Sequence, residues 1–204
     1  MDKDRVEAFS DGVLAIIITI MVLELKVPHS TEWSALAENW FVFLSYVLSF
    51  VFVGLYWINH HHLFQKVEKI NNKILLANLL GLFWQSLIPF STAWMGENAF
   101  QSTTVTLYAS ILTLSILSHL LLVHLLKRLH GFDSEFSRSF TGDYKIYLTL
   151  GVNLSAAIIS FIGFPKIGFS LLILVALLWF IPSHRFDNGD IENAAENGKQ
   201  AQSF

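Results

Sequence analysis

Apolar residues fall along this chain of 204 residues in six long runs separated by short polar segments. The runs lie near 5–25, 39–59, 73–95, 104–126, 145–164 and 167–182. A helix needs about 20 apolar residues to cross roughly 30 Å of hydrocarbon, and the runs approach or meet that length. The pattern predicts an all-α integral membrane protein with six transmembrane helices per subunit. Two runs are the least regular: the first carries ionisable residues, and the last is short and stops at Pro182. The lysines and arginines supply the orientation. Eleven of the 13 fall in the N-terminal segment, the segments after the second and fourth runs, and the tail; only Lys26 and Lys166 fall on the other side. Basic residues accumulate in cytoplasmic loops, so both termini are expected in the cytoplasm.

Composition agrees with that reading. The chain is 53% apolar and 14% charged, with mean hydropathy +0.53, outside the usual balance of a soluble domain. It contains no cysteine, which excludes disulfides, thiolate metal sites and cysteine nucleophiles. The first run does not read as a cleavable signal peptide, because acidic and basic residues mix ahead of it and no small-residue cleavage site follows. A net charge of -3 without a basic stripe gives no footprint for nucleic acid. No His-Glu-x-x-His or Gly-x-Ser-x-Gly pattern and no paired carboxylates at mid-membrane depth speak for an enzyme. Residues 1–182 are therefore expected to form the membrane domain, and the polar segment 183–204 a disordered cytoplasmic tail without a function of its own.

The first run has two faces. At about 100° per residue, with Ile16 set to zero, Thr19, Ile20 and Leu23 fall within about 60° of it, and Gly12 joins the same stripe. Ser10 and Asp11 point more than about 100° away. The stripe has two readings, a lipid-facing surface or the lining of a pore whose aliphatic rings gate by dewetting. Ser10 and Asp11 at a helix start can simply cap it and favour its dipole.

Arg5-x-x-x-Phe9-Ser10-Asp11, followed by Ile16, Ile17, Thr19 and Met21, resembles the defining motif of the transmembrane protein 175 family. These are lysosomal potassium channels in animals, with six-helix relatives in bacteria and archaea. Trp57-x-x-His60-x-x-Leu63-Phe64-Gln65 in the second run resembles the family too, as do Leu76-x-Asn78-Leu79 and Pro89-Phe90 in the third. The resemblance covers about residues 5–95.

The resemblance implies a homotetramer in a prokaryotic plasma (inner) membrane. Its first helices would surround the path of potassium and other monovalent cations, with no cofactor and no carbonyl filter of the Thr-Val-Gly-Tyr-Gly kind. By place in the motif, Ile16 would form the narrowest ring, Thr19 a hydroxyl ring, Leu23 a second aliphatic ring, and Ile20 would flank them. Such a hydrophobic gate replaces ion hydration poorly, so the expected activity is a cation channel with modest preference for potassium over sodium. A proton-coupled secondary transporter is the alternative.

Arg5, Ser10, Asp11, Trp57, His60 and Asn78 share one depth. A buried carboxylate there needs donors, and the indole, imidazole and amide N–H groups are available. The expected result is an interhelical network, marked by the same motif as Phe9, that sets the rotation of the first helix. His60-His61-His62 point about 100° apart and do not converge on a metal; one is expected inward and two toward headgroups or solvent. His119 and His124 are read as hydrogen-bonding groups or proton sensors. Gln85, Ser86, Ser91 and Thr92 surround Pro89, which should kink the third helix and leave backbone groups for neighbouring side chains to satisfy.

Overall fold

The computed structural model describes residues 3–140 and 144–180, and every regular element within them is a helix. In chain order they are α1 (Lys3–Leu23), α2 (Trp33–Glu38), α3 (Trp40–Gln65), α4 (Asn72–Ser86) and α5 (Ile88–Glu97). Then come α6 (Ser102–His130), α7 (Glu135–Ser139), α8 (Tyr144–Phe161) and α9 (Pro165–Leu178). Among the described residues five helices are long and apolar enough to cross a membrane, with α4 and α5 counted as one, and α9 is a shorter apolar helix. The tail 183–204 and Pro182 lie outside the described residues.

The third apolar run is two helices rather than one. The chain turns at Leu87, and Pro89 sits in the first turn of α5, where a missing N–H costs nothing. The hydroxyls of Ser91 and Thr92 bond back to the carbonyls of Leu87 and Ile88 at 3.1 and 2.7 Å, within the first turns of α5 itself. Residues 71 and 131 show how ends are set. Asn71 caps α4 by accepting the Ile74 N–H at 3.1 Å. Gly131 ends α6 with φ 95, a conformation open mainly to glycine.

Helix α6 is the axis of the bundle: 56% of its most apolar stretch is buried, against 28% for α1, α3 and α8. Helices α8 and α9 pack on it and on each other, whereas α1 packs on α3, α4 and α5. The main core joins α1, α3, α5, α6, α8 and α9 through Leu14, Phe52, Met95, Tyr108, Ala156 and Leu172. Within it Ser49 bonds Thr92 at 2.7 Å and Tyr108 at 2.8 Å, linking three helices through polar groups that have no water to turn to. A second core of Val6, Phe64, Val67, Ile74, Leu126 and Phe136 closes the end that carries the N-terminus.

The α8–α9 hairpin depends on a close approach. A Cβ at Gly168 would lie 2.7 Å from the Ala156 carbonyl oxygen and against Ser160. Gly168→Leu should therefore destabilise the protein by about 1–3 kcal/mol or more through overpacking. Thermal unfolding in detergent reads this directly, and an unchanged midpoint would contradict the packing described.

Candidate functional site

Helix α1 is anchored on one side and bare on the other. Val6, Ser10, Leu14, Ile17 and Met21 recur at helical spacing and are buried against α3, α4 and α5. The opposite arc, from Arg5 through Phe9, Gly12, Ile16, Thr19 and Ile20 to Leu23, is exposed. Ile16 is 57% and Leu23 80% accessible, although both sit on a helix whose other face is fully packed. All four stripe residues thus share the open face. The Thr19 hydroxyl donates to the Ile16 carbonyl at 2.9 Å. Its hydrogen is spent within the helix, and its oxygen lone pairs remain toward the open side.

Beside the aliphatic line runs a line of small residues, Ala8, Gly12, Ala15 and Thr19, all exposed. A Cβ added at Gly12 would meet nothing within 4 Å. Between the open face and the α4–α5 segment lies a groove of about 440 Å³, bordered by Ile16, Ile20, Glu24, Ser86 and Phe90.

The polar residues behind this face form two hydrogen-bonded groups. In the first, the Ser10 hydroxyl donates to the Val6 carbonyl at 2.8 Å, and the Asn78 amide donates to Ser10 Oγ at 2.9 Å. That leaves Asn78 Oδ1 facing His60 Nε2 at 2.9 Å, so Nε2 carries the proton and His60 Nδ1 is a buried lone pair without a partner among the described residues. Ser10, His60 and Asn78 are all buried. In the second group, Trp57 Nε1 donates to Asp11 Oδ1 at 3.0 Å, at the edge of the bare face.

Among the described residues the Asp11 carboxylate thus takes the indole, while the amide of Asn78 serves Ser10 and the imidazole serves Asn78. The reason is angular: Ser10 points toward α4, and Asp11 toward the exposed flank of α3. Arg5 and Phe9 do not join either group. Both are exposed on the arc of Ile16, because positions 5, 9, 12 and 16 follow the helical repeat.

A further pairing was not evident from the motif. His61 Nδ1 bonds Glu7 Oε1 at 2.9 Å, and the Gln65 amide reaches His61 Nε2 at 2.8 Å. Trp57 stacks on His61 at 5.7 Å. Glu7 and Asp11 on α1 therefore face Trp57, His61 and Gln65 on α3 as matching rows spaced four apart. That shared spacing is the signal present in the sequence. Of the three consecutive histidines, His60 packs inward, and His61 engages Glu7 while staying partly exposed.

The other candidates lie away from the open face. His119 borders a small cavity of about 40 Å³ with Tyr56, Asn59 and Trp179, and His124 lies 6.1 Å from the Phe132 ring. Gln85 is buried, with Oε1 unpaired among the described residues. Past the far end of α1, Lys26 forms an ion pair with Glu97. That hydrogen-bonded carboxylate raises the Lys26 ammonium above its ordinary value, so Lys26 stays charged at neutral pH. Among the described residues, no group of three or more His, Cys, Asp or Glu side chains is placed to hold a metal ion.

Comparison with known proteins places this arrangement. Residues 5–89 match the family described as endosomal/lysosomal potassium channel TMEM175. A potassium channel of Chryseobacterium sp. (strain P1-3) is 44% identical over 193 residues, covering 95% of this chain and 100% of the relative. The endosomal/lysosomal proton channel TMEM175 of Gallus gallus is 34% identical over 154 residues, 65% of this chain and 30% of the relative. Among solved structures, the crystal structure of a lysosomal potassium-selective channel TMEM175 homolog from Chamaesiphon minutus superposes with a TM-score of 0.74 at 27% identity. It covers 88% of this chain and 96% of that one. Members of this family are named as ion channels, not enzymes. With motif, helix order and near full-length similarity all in agreement, this multi-pass membrane protein belongs to the TMEM175 family.

Proposed function

We propose that the chain is a potassium-permeable cation channel: a homotetramer of six-span subunits in a prokaryotic plasma membrane, both termini cytoplasmic, with α1 of each subunit facing a central path. The observation that carries this reading is the bare aliphatic face of α1, opposite the face tied to α3 and α4. A helix held this firmly by its back presents Ile16, Thr19, Ile20 and Leu23 in one fixed direction. The small residues Ala8, Gly12 and Ala15 beside them let neighbouring helices approach closely, as they do in membrane helix pairs. Near full-length similarity to a protein named a potassium channel supports potassium as the permeant ion.

In this arrangement rings of Ile16 and Leu23 form hydrophobic constrictions that gate by dewetting. The Thr19 oxygens, their hydrogens already donated to Ile16 carbonyls, offer acceptors to a partly dehydrated cation. One shell of hydroxyls replaces water less completely than a filter of carbonyl rings, hence a modest preference for potassium over sodium. Thr19→Ala should weaken that preference, and Thr19→Ser should retain it. Reversal potentials under opposed potassium and sodium gradients measure both, and an unchanged value in Thr19→Ala would remove Thr19 from the path.

Purified protein in liposomes with a potassium gradient tests the function as a whole. Flux that follows the electrical potential without a coupled proton is the expected result; obligatory proton coupling would make the chain a carrier. The vertebrate relative named a proton channel makes proton flux in the same liposomes a second quantity to record.

A further inference from the structure

The end of the bundle that carries the N-terminus is closed by a clasp centred on His130, the last residue of α6. His130 Nε2 accepts the backbone N–H groups of both Glu68 and Lys69, at 3.2 and 3.3 Å. These belong to the turn joining α3 and α4. On its other side the ring lies 3.0 Å, through Nδ1, from the Leu126 carbonyl. A nitrogen facing two N–H donors must be the bare one, and a nitrogen facing a carbonyl must carry the hydrogen. The contacts therefore define one neutral tautomer.

The ring also stacks on Phe136 at 4.8 Å, so the clasp includes α7. Lys66 Nζ donates to Ser139 Oγ at 3.1 Å and Lys127 Nζ to the Phe140 carbonyl at 3.0 Å, fastening α7 to the same turn and to α6. Val67, within the turn, is fully buried with Phe136 and with Val6, the first buried residue of α1. The turn thus joins the clasp to the root of the helix that bears the open face.

We propose that this is an acid-sensitive clasp on the cytoplasmic side: protonation of His130 releases the α3–α4 turn from α6 and α7. The protonated ring turns its only acceptor into a donor aimed at two donors, so both bonds to the turn are lost together. Histidine is the side chain that ordinarily changes charge between about pH 5 and pH 8. The ring is only partly buried, and both bonds lie at the exposed surface, so protons reach it without unfolding. The charged groups on the packed elements are Lys66, Glu68 and Lys69 of the turn, Lys127 and Arg128 of α6, Asp133, and Glu135 and Arg138 of α7. Among the described residues cations outnumber carboxylates in this set, five to three, so they do not favour a charged ring in the closed clasp. The closed clasp requires the neutral ring; acid opens it and base closes it.

Amide hydrogen exchange of the full-length protein in detergent tests this, with rates corrected for the intrinsic effect of pH. Protection of the peptide containing residues 66–71 should fall about tenfold between about pH 8 and about pH 5.5, the loss of two backbone bonds of ordinary net strength. Residues 108–118, inside α6, should be unchanged. In His130→Gln, which has no titrating group, protection of 66–71 should be the same at both pH values, high if the amide oxygen reaches the turn and low if it does not. No pH step in the native protein, a step that persists in His130→Gln, or an equal loss at 108–118 would each overturn the clasp. The measurement does not require that the chain conduct potassium, so the clasp and the channel reading fail separately.

Discussion

Ile16→Asn should raise potassium flux by about tenfold or more, the equivalent of lowering the barrier by roughly 1.4 kcal/mol. In the proposed tetramer this change replaces a ring of branched aliphatic side chains by a ring of amides. Amides hydrogen-bond water and keep the constriction wet, so the dewetting barrier falls. The structure separates this effect from folding. Ile16 is more than half exposed in the subunit, and the packed face of α1 is built from Leu14, Ile17 and Met21, so the substitution opens no cavity in the core. The lipid-facing alternative predicts the opposite outcome: no gain in flux, and poorer membrane insertion because an amide would face hydrocarbon. Flux into liposomes, normalised to inserted protein, distinguishes them. Unchanged flux with reduced insertion would move Ile16 out of the path.

Asn78→Ala should be the most damaging single change in the polar groups behind α1, lowering stability by about 2–3 kcal/mol. Asn78 is buried and holds both Ser10 and His60. Its loss leaves the His60 N–H without an acceptor and takes away the donor that Ser10 Oγ accepts, in a place water does not reach. Asp11→Ala removes one bond to a half-exposed indole and should cost only about 1 kcal/mol of subunit stability. In the proposed tetramer both substitutions reduce current by letting α1 rotate, and neither shifts the reversal potential, because neither residue lies on the open face. Unfolding of the two variants in detergent gives the order. Equal losses would mean that the buried chain through Asn78 does not carry the anchoring.

Much of this was legible in the order of residues. The runs of apolar residues locate every long helix because hydrocarbon tolerates no unpaired backbone, so length and hydropathy alone mark where a span must be. The helical repeat likewise separates Ile16, Thr19, Ile20 and Leu23 from Ser10 and Asp11, since 100° per residue is a property of the backbone. Pro89 announced an interruption. That it divides the third run into α4 and α5 at Leu87 depends on how the two segments pack, α4 on α6 and α5 on α3.

The pairing of polar groups was beyond reach, and for a definite reason. Depth follows from counting residues along each span, so the sequence by itself determined that Ser10, Asp11, Trp57, His60 and Asn78 lie at one level. Which donor meets which acceptor depends on how far each helix is turned about its axis, and that is decided by the packing of apolar faces such as Leu14, Ile17 and Met21 against α3, α4 and α5. Tertiary structure therefore assigned Trp57 to Asp11, gave Asn78 to Ser10 and His60 to Asn78, and brought Glu7 to His61. Hydrogen bonds are directional and reach only about 3 Å; a rotation too small to alter the hydropathy pattern is enough to change every partner.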